Sequence, residues 1–179
     1  MNELPVVVVG AGPIGLGMLT WVRHFGAASV LASDPVPARR AMARAFGADG
    51  AVAPEALAEE LAARMPDGPD LVLEATGQPG LIQEALTSVR FRGRVVVAGA
   101  CLGEDRIRPL PAMAREATLH FALAYEKDDF QYTVDVLAAG RIDPRPMVTE
   151  RVPLEGLPGA FAALRPPSEH GKIVFDAGL

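Results

Sequence analysis

Short apolar runs alternate with longer amphipathic segments along most of this chain. Val6–Val9 is a β-branched block, and Ser29–Ser33, Ala51–Ala53, Leu71–Glu74, Arg94–Ala98 and Thr118–Ala124 are further short runs with the composition of strands. Between them, Ile14–Phe25, Pro37–Phe46, Pro54–Met65, Leu81–Val89 and Phe130–Ala139 carry helical spacing. A proline-containing loop and a short helix fill the stretch up to about Glu116. Proline in the first turn of Pro54–Met65 suits a helix start, because the missing N–H has no partner there anyway. Gly47 closes the helix before it.

Strands separated by helices imply βαβ units and a parallel sheet. Nearly continuous apolar strands mean that both faces of the sheet are covered. Six strands up to Ala124 is the number of a Rossmann-type, doubly wound α/β fold with helices on both faces. From Ile142 the texture changes. A proline-rich extended stretch, a short glycine-containing helix ("EGLPGAFAALR") and a last strand ("GKIVF") do not continue the alternation. The expected organisation is therefore a dinucleotide-binding domain over 1–141 and a distinct C-terminal segment over 142–179.

The opening apolar stretch needs its own explanation, because Leu4–Val22 contains no charge. Its length approaches the roughly 20 apolar residues of a membrane span. Gly10, Gly12, Gly15 and Gly17, with Pro13 among them, are costly in a helix interior. A signal peptide fits no better, since an acid stands where a basic n-region belongs and no small-residue cleavage site follows. The stretch reads as strand, glycine turn and helix, with no membrane role.

Composition narrows the class. The chain has 179 residues, half of them apolar, enough for one sizeable domain with a real core. Seventeen basic and 22 acidic residues give a net charge of −5, with no basic stripe, which argues against nucleic acid as a partner. A single cysteine, Cys101, excludes an internal disulfide and fits a reducing, cytoplasmic location.

Gly10-Ala11-Gly12-Pro13-Ile14-Gly15 is a G-x-G-x-x-G between a strand and a helix, the context the motif requires. Gly10 permits the tight turn, Gly12 lets backbone approach a pyrophosphate, and Gly15 lets helix pack on strand. The positive end of the helix then faces the phosphates. Asp34 ends the second strand, placed to accept hydrogen bonds from the adenosine ribose, which favours NAD over NADP. Arg39 and Arg40 follow. They could contact the ribose or a 2′-phosphate, and for Arg40 a solvated surface charge is the preferred reading. Ala75-Thr76-Gly77 and Ala98-Gly99-Ala100 stand at the carboxyl ends of later strands, where ligands of open α/β sheets sit.

These stretches, together with "ASDPVPARRAMARAFGA", "VLEATG", "GRVVVAG", "AYEKDDFQYTVDVLAAGRIDP" and "HGKIVF" in this order, resemble the cofactor domain of the medium-chain, zinc-type alcohol dehydrogenases. The flavour is that of their polyol, butanediol and threonine dehydrogenase branches. The resemblance runs from about Pro5 to Asp176. It implies that Gly10, Gly12, Pro13, Ile14 and Gly15 line the pyrophosphate and ribose, and that Asp34 and Arg39 hold the adenosine ribose. It implies further that Thr76, Gly77, Ala98 and Gly99 run towards the nicotinamide, with Ala122 and Leu123 near its amide. In that family a catalytic domain with zinc ligands precedes this one. By the resemblance, zinc belongs to that preceding domain, and the segment after Ile142 returns to complete it. Here the segment would have to fold back on the cofactor domain or stay partly unsupported. A catalytic-domain partner in trans is the corresponding expectation. The family pairs the sixth strand with its copy across a two-fold. The uncharged run Thr118–Ala124 is an edge that invites such pairing, unless the tail covers it, so a homodimer is expected.

No catalytic set is found in the chain, and no metal site. His24, Cys101, His120 and His170 lack metal-ligand spacing. His24 is expected at the surface, His120 packed within its strand, and His170 capping the last strand. Cys101 lies on the cofactor side with nothing evident to activate it. Neither Tyr125 nor Tyr132 has a lysine four residues on, and Glu74, Glu126, Asp128 and Asp129 show no partner in the sequence. Two other readings remain. One is a stand-alone NAD(H)-binding or sensing module without catalysis. The other is a methyltransferase, disfavoured by the third glycine and the six-strand pattern.

Overall fold

The computed structural model describes residues 4–164 and 168–178; Arg165, at the end of the last expected helix, lies outside them. Six parallel strands form one sheet: β1 (Pro5–Val9), β2 (Ser29–Ser33), β3 (Gly50–Val52), β4 (Leu71–Glu74), β5 (Arg94–Val97) and β6 (Thr118–Phe121). Their spatial order is β3-β2-β1-β4-β5-β6. The order reverses between β1 and β4, and such a switch point opens a crevice at the carboxyl ends of the strands. Val9 stands opposite both Ser33 and Glu74 there, and Glu74 stands opposite Val97.

The helices are α1 (Pro13–His24), α2 (Pro37–Ala45), α3 (Leu57–Arg64), α4 (Leu81–Ser88), α5 (Pro109–Ala114) and α6 (Lys127–Ala138). A 3-10 turn over Pro54–Ala56 precedes α3, so the long amphipathic run of the sequence divides in two. Side chains alternate between sheet faces, and two cores follow. Val6, Val8, Val30 and Ala32 pack with Leu16 and Leu19 of α1 and Ala43 of α2. Val7, Leu31, Val72, Val95 and Val97 pack with Ile82, Ala85 and Leu86 of α4, and with Leu57 and Leu61 of α3. The apolar runs of β1 to β5 lack a polar face because each of these strands serves both cores.

Two expectations change at the edge. The sixth strand ends at Phe121 rather than Ala124. Ala122 N–H still donates to the Val97 carbonyl at 2.8 Å, but Val97 is the last residue of β5, so the ladder has no further rung. Helix α6 begins three residues earlier than its apolar pattern indicates. Glu126 and Asp129 form a capping box that starts it at Lys127. These two acids, which show no partner in the sequence, therefore cap each other's helix end.

After α6 the chain forms β7 (Val148–Val152), α7 (Leu157–Ala163) and β8 (Lys172–Phe175), and β7 and β8 pair in parallel as a separate two-stranded sheet. Met147 packs against the first core beside Met42 of α2. The tail thus folds back on the six-stranded unit. Among the described residues, β6 is paired on one side only, with β5.

Candidate functional site

Three turns meet at the carboxyl ends of β1, β4 and β5. Gly10 leaves β1 with φ +93°, a conformation that side chains resist, and its N–H donates to the Ser33 carbonyl at 2.8 Å. A methyl group there would also lie 2.6 Å from Thr76 Cγ2, so the space is taken as well. At Gly15 a methyl would run into the Gly10 carbonyl, so this glycine lets α1 lie against the turn. Gly12 differs: a methyl would meet nothing within 4 Å, so its backbone faces open space.

Gly12 is also the N-cap of α1, with no side-chain cap and no acid in the first turn. The first helical hydrogen bond runs from the Leu16 N–H to the Gly12 carbonyl at 2.9 Å. Pro13 has no N–H, and the Ile14 and Gly15 N–H groups have no partner within the helix. The positive end of α1 and its free donors therefore open onto the crevice, with Pro13 and Ile14 exposed at its mouth. This arrangement suits a phosphate-bearing anion.

Asp34 is 3% exposed, and its carboxylate is turned onto backbone. Oδ2 accepts from the Ala11 N–H at 2.9 Å and Oδ1 from the Val36 N–H at 2.8 Å. Each oxygen keeps a lone pair beyond these bonds. The Arg40 guanidinium donates to the carbonyls of Asp34 and Pro35, both at 2.8 Å, so it braces this corner rather than standing as a free surface charge. Arg39, next to it, has a buried Nε with no hydrogen-bond partner among the described residues. An unpaired buried donor of this kind is what a bound acceptor would satisfy.

Glu74, which shows no partner in the sequence, has a role that sequence reasoning missed. It is 1% exposed at the end of β4. Its Oε1 accepts from the Thr76 N–H at 2.7 Å, the Gly77 N–H at 3.0 Å and the Thr76 hydroxyl. Its main-chain carbonyl accepts from Ala98 and Gly99 N–H at 2.9 and 3.0 Å. A charged side chain ending an otherwise apolar strand was the available signal. Gly77 takes φ +70°, with the Ala100 backbone where its side chain would be. Beyond the β5 turn the chain opens out: Leu123 is 99% exposed, and Ala122 beside it is exposed too.

The remaining candidates do not converge. His24 shares a 2.9 Å hydrogen bond with the Tyr132 hydroxyl, in an aromatic cluster with Trp21 and Phe25. His120 is exposed rather than packed, because β6 is an edge with little cover. His170 lies 3.4 Å from Thr149 Oγ1 and 3.6 Å from Glu150. Cys101 Sγ makes only a 3.6 Å contact with the Gly103 carbonyl. Among the described residues no three His, Cys, Asp or Glu side chains group as a metal-ligand set.

Comparison with known proteins follows the same lines. Residues 13–139 match the family model described as zinc-binding dehydrogenase. An L-threonine 3-dehydrogenase of Saccharopolyspora erythraea is 30% identical over 174 residues, 96% of this chain and 50% of that protein. Sorbitol dehydrogenase of Homo sapiens is 28% identical over 165 residues, 89% of this chain and 46% of that protein. Among solved structures, the alcohol dehydrogenase TADH from Thermus sp. ATN1 superposes with a TM-score of 0.88 at 29% identity, over 96% of this chain and 50% of that one. The chain thus spans about half the length of the relatives it matches.

Proposed function

From the premise that this chain belongs to the zinc-binding dehydrogenase family, we propose that it is the NAD(H)-binding portion of an alcohol or polyol dehydrogenase. The observation that carries the reading is the uncapped start of α1 behind the open backbone of Gly12. The residues present fit a nicotinamide dinucleotide. The Ile14 and Gly15 N–H groups would receive the pyrophosphate, and Asp34 and Arg39 would take the adenosine ribose. Thr76, Gly77, Ala98 and Gly99 would floor the other half, with Ala122 and Leu123 at its far end. The bound dinucleotide supplies the hydride acceptor or donor. The chain's own part is to bind, orient and exclude water.

NAD is preferred over NADP because a 2′-phosphate would approach the Asp34 carboxylate. Hydrogen bonds to a charged group are worth about 1.5–3 kcal/mol, so the preference is roughly ten-fold or more. Arg39 works against it. Titration of the chain with NADH and NADPH, read by energy transfer from Trp21, tests both points. Saturable binding that favours NADH is expected. Tighter NADPH binding would make Arg39 the deciding residue, and binding of neither would remove the reading.

Substrate chemistry and zinc belong, in this proposal, to a further catalytic portion, in the same polypeptide or in trans, consistent with the half-length match to relatives. The outer side of β6, unpaired among the described residues and with Phe121 63% exposed, is proposed to pair with a second copy, giving a homodimer. A stand-alone dinucleotide-binding module is the second reading. It is favoured by the separation of His24, Cys101, His120 and His170 onto different elements. A cytoplasmic location belongs to the same proposal. Among the described residues no helix is long and apolar enough to cross a membrane.

A further inference from the structure

Glu74 carries a buried carboxylate that the binding scheme above does not use. One of its oxygens is saturated: Oε1 takes two backbone donors and the Thr76 hydroxyl. The other, Oε2, is buried without a partner among the described residues. It lies against the β5 turn, where a methyl group on Gly99 would come within 2.5 Å of it. Burying a carboxylate is costly unless it is hydrogen-bonded or paired, and here the bonds all fall on one oxygen.

Its surroundings are the three turns. By fixing the Thr76 N–H and hydroxyl together, Glu74 sets the Thr76 side chain against Gly10, the turn after β1. By holding the Gly77 N–H, it sets the turn after β4 against the Ala100 backbone. Through Oε2 it meets Gly99, in the turn after β5. One side chain thus spaces the ends of three adjacent strands.

Topology says which part of a ligand this concerns. The start of α1 marks the centre of the crevice, and Asp34 with Arg39 lie beyond it on the β2 side. A dinucleotide whose pyrophosphate sits at the centre must send its second half over β4 and β5. We propose that Glu74 is a positioning residue for that second, nicotinamide-bearing half, and that it acts on this half far more than on the adenosine half. The inference rests on the dinucleotide reading above.

The test separates the halves. Dissociation constants for AMP and NADH are measured by calorimetry on the wild-type chain, Glu74→Ala and Glu74→Gln, with thermal unfolding followed in parallel. In Glu74→Ala, NADH affinity is expected to fall by roughly ten-fold or more, towards that of AMP, while AMP affinity stays within about two-fold. Glu74→Gln is expected to recover most of the NADH affinity, because its amide oxygen can replace Oε1 and the unpartnered Oε2 gives up no bond. If Glu74→Ala does not fold, Glu74→Asp, which withdraws the carboxylate by one methylene, is read in the same way. Equal loss of AMP and NADH, or no loss of either, overturns the proposal. A wild-type chain that binds AMP but gains nothing from the nicotinamide half overturns it alone. A wild-type chain that binds neither overturns the dinucleotide reading as well.

Discussion

The Asp34 carboxylate accepts the Ala11 N–H at 2.9 Å, a buried hydrogen bond between residues 23 positions apart. It ties the glycine loop after β1 to the end of β2, so loop shape and the adenosine corner depend on one side chain. Asp34→Ala leaves the Ala11 and Val36 N–H groups without acceptors. The buried Ala11 N–H left unpaired costs about 1–3 kcal/mol, and the half-buried Val36 N–H adds less. The expected outcome is a loss of roughly 2–4 kcal/mol in urea unfolding, together with loss of NADH binding. Asp34→Asn, which keeps one acceptor, should retain part of the stability. Unchanged stability in Asp34→Ala would show that the carboxylate does not hold the loop.

The glycines of the loop should separate folding from binding. Gly15→Ala drives a methyl into the Gly10 carbonyl, a backbone atom that cannot move aside. It is expected to destabilise the chain by several kcal/mol, roughly 3 or more. Gly12→Ala meets nothing, so its melting temperature should be near wild type while NADH binding is lost. Gly17→Ala also enters open space, inside α1, and should stabilise by about 0.5–1 kcal/mol. Calorimetric melting of the three variants, with NADH titration of those that fold, checks the set.

Acid stability should depend on Asp49. Burial raises its pKa, but the Arg23 side chain and the Val30 N–H outweigh this and hold it below 3.8. A depressed carboxylate contributes stability that is present above its unfolded pKa and is lost as pH falls through the folded value. Wild type is therefore expected to lose stability relative to Asp49→Asn as pH falls below about 4, and to exceed it at pH 7. The pair is partly exposed, so the difference at pH 7 should be about 1 kcal/mol or less. Parallel denaturation curves at the two pH values decide it, and a constant difference would exclude the Arg23–Asp49 contact as the source.

The start of α6 rests on two acids. Asp129→Ala removes the acceptor of the Glu126 N–H, a 2.9 Å bond. A loss of about 0.5–2 kcal/mol is expected, with fraying of the first turn. Hydrogen exchange at the α6 amides would show it, and unaltered protection there would mean the helix starts without the box.

Much of this was legible in the chain itself. Val6–Val9, Ser29–Ser33 and Leu71–Glu74 announced strands because two-sided burial makes most of each run apolar. The spacing of Gly10, Gly12 and Gly15 announced the turn because each position excludes or exposes a side chain for a local reason. Local sequence also assigned Asp34 to the end of β2. Elements whose limits are set within a few residues, by capping, glycine or proline, can be read this way.

Only the tertiary structure decided what depends on neighbours distant in sequence. Glu74 showed no partner until the backbone beyond it turned back onto its carboxylate. The sequence places Asp34 for a ribose; only the fold shows that its oxygens also accept from the Ala11 and Val36 N–H groups. The sixth strand stops at Phe121 because β5 has already ended, and His120 lies open because none of the described elements covers that edge. Which strand lies beside which, and which donor a buried carboxylate finds, follow from packing the whole chain at once. Apolar periodicity states that a face must be buried; it does not state what will cover it.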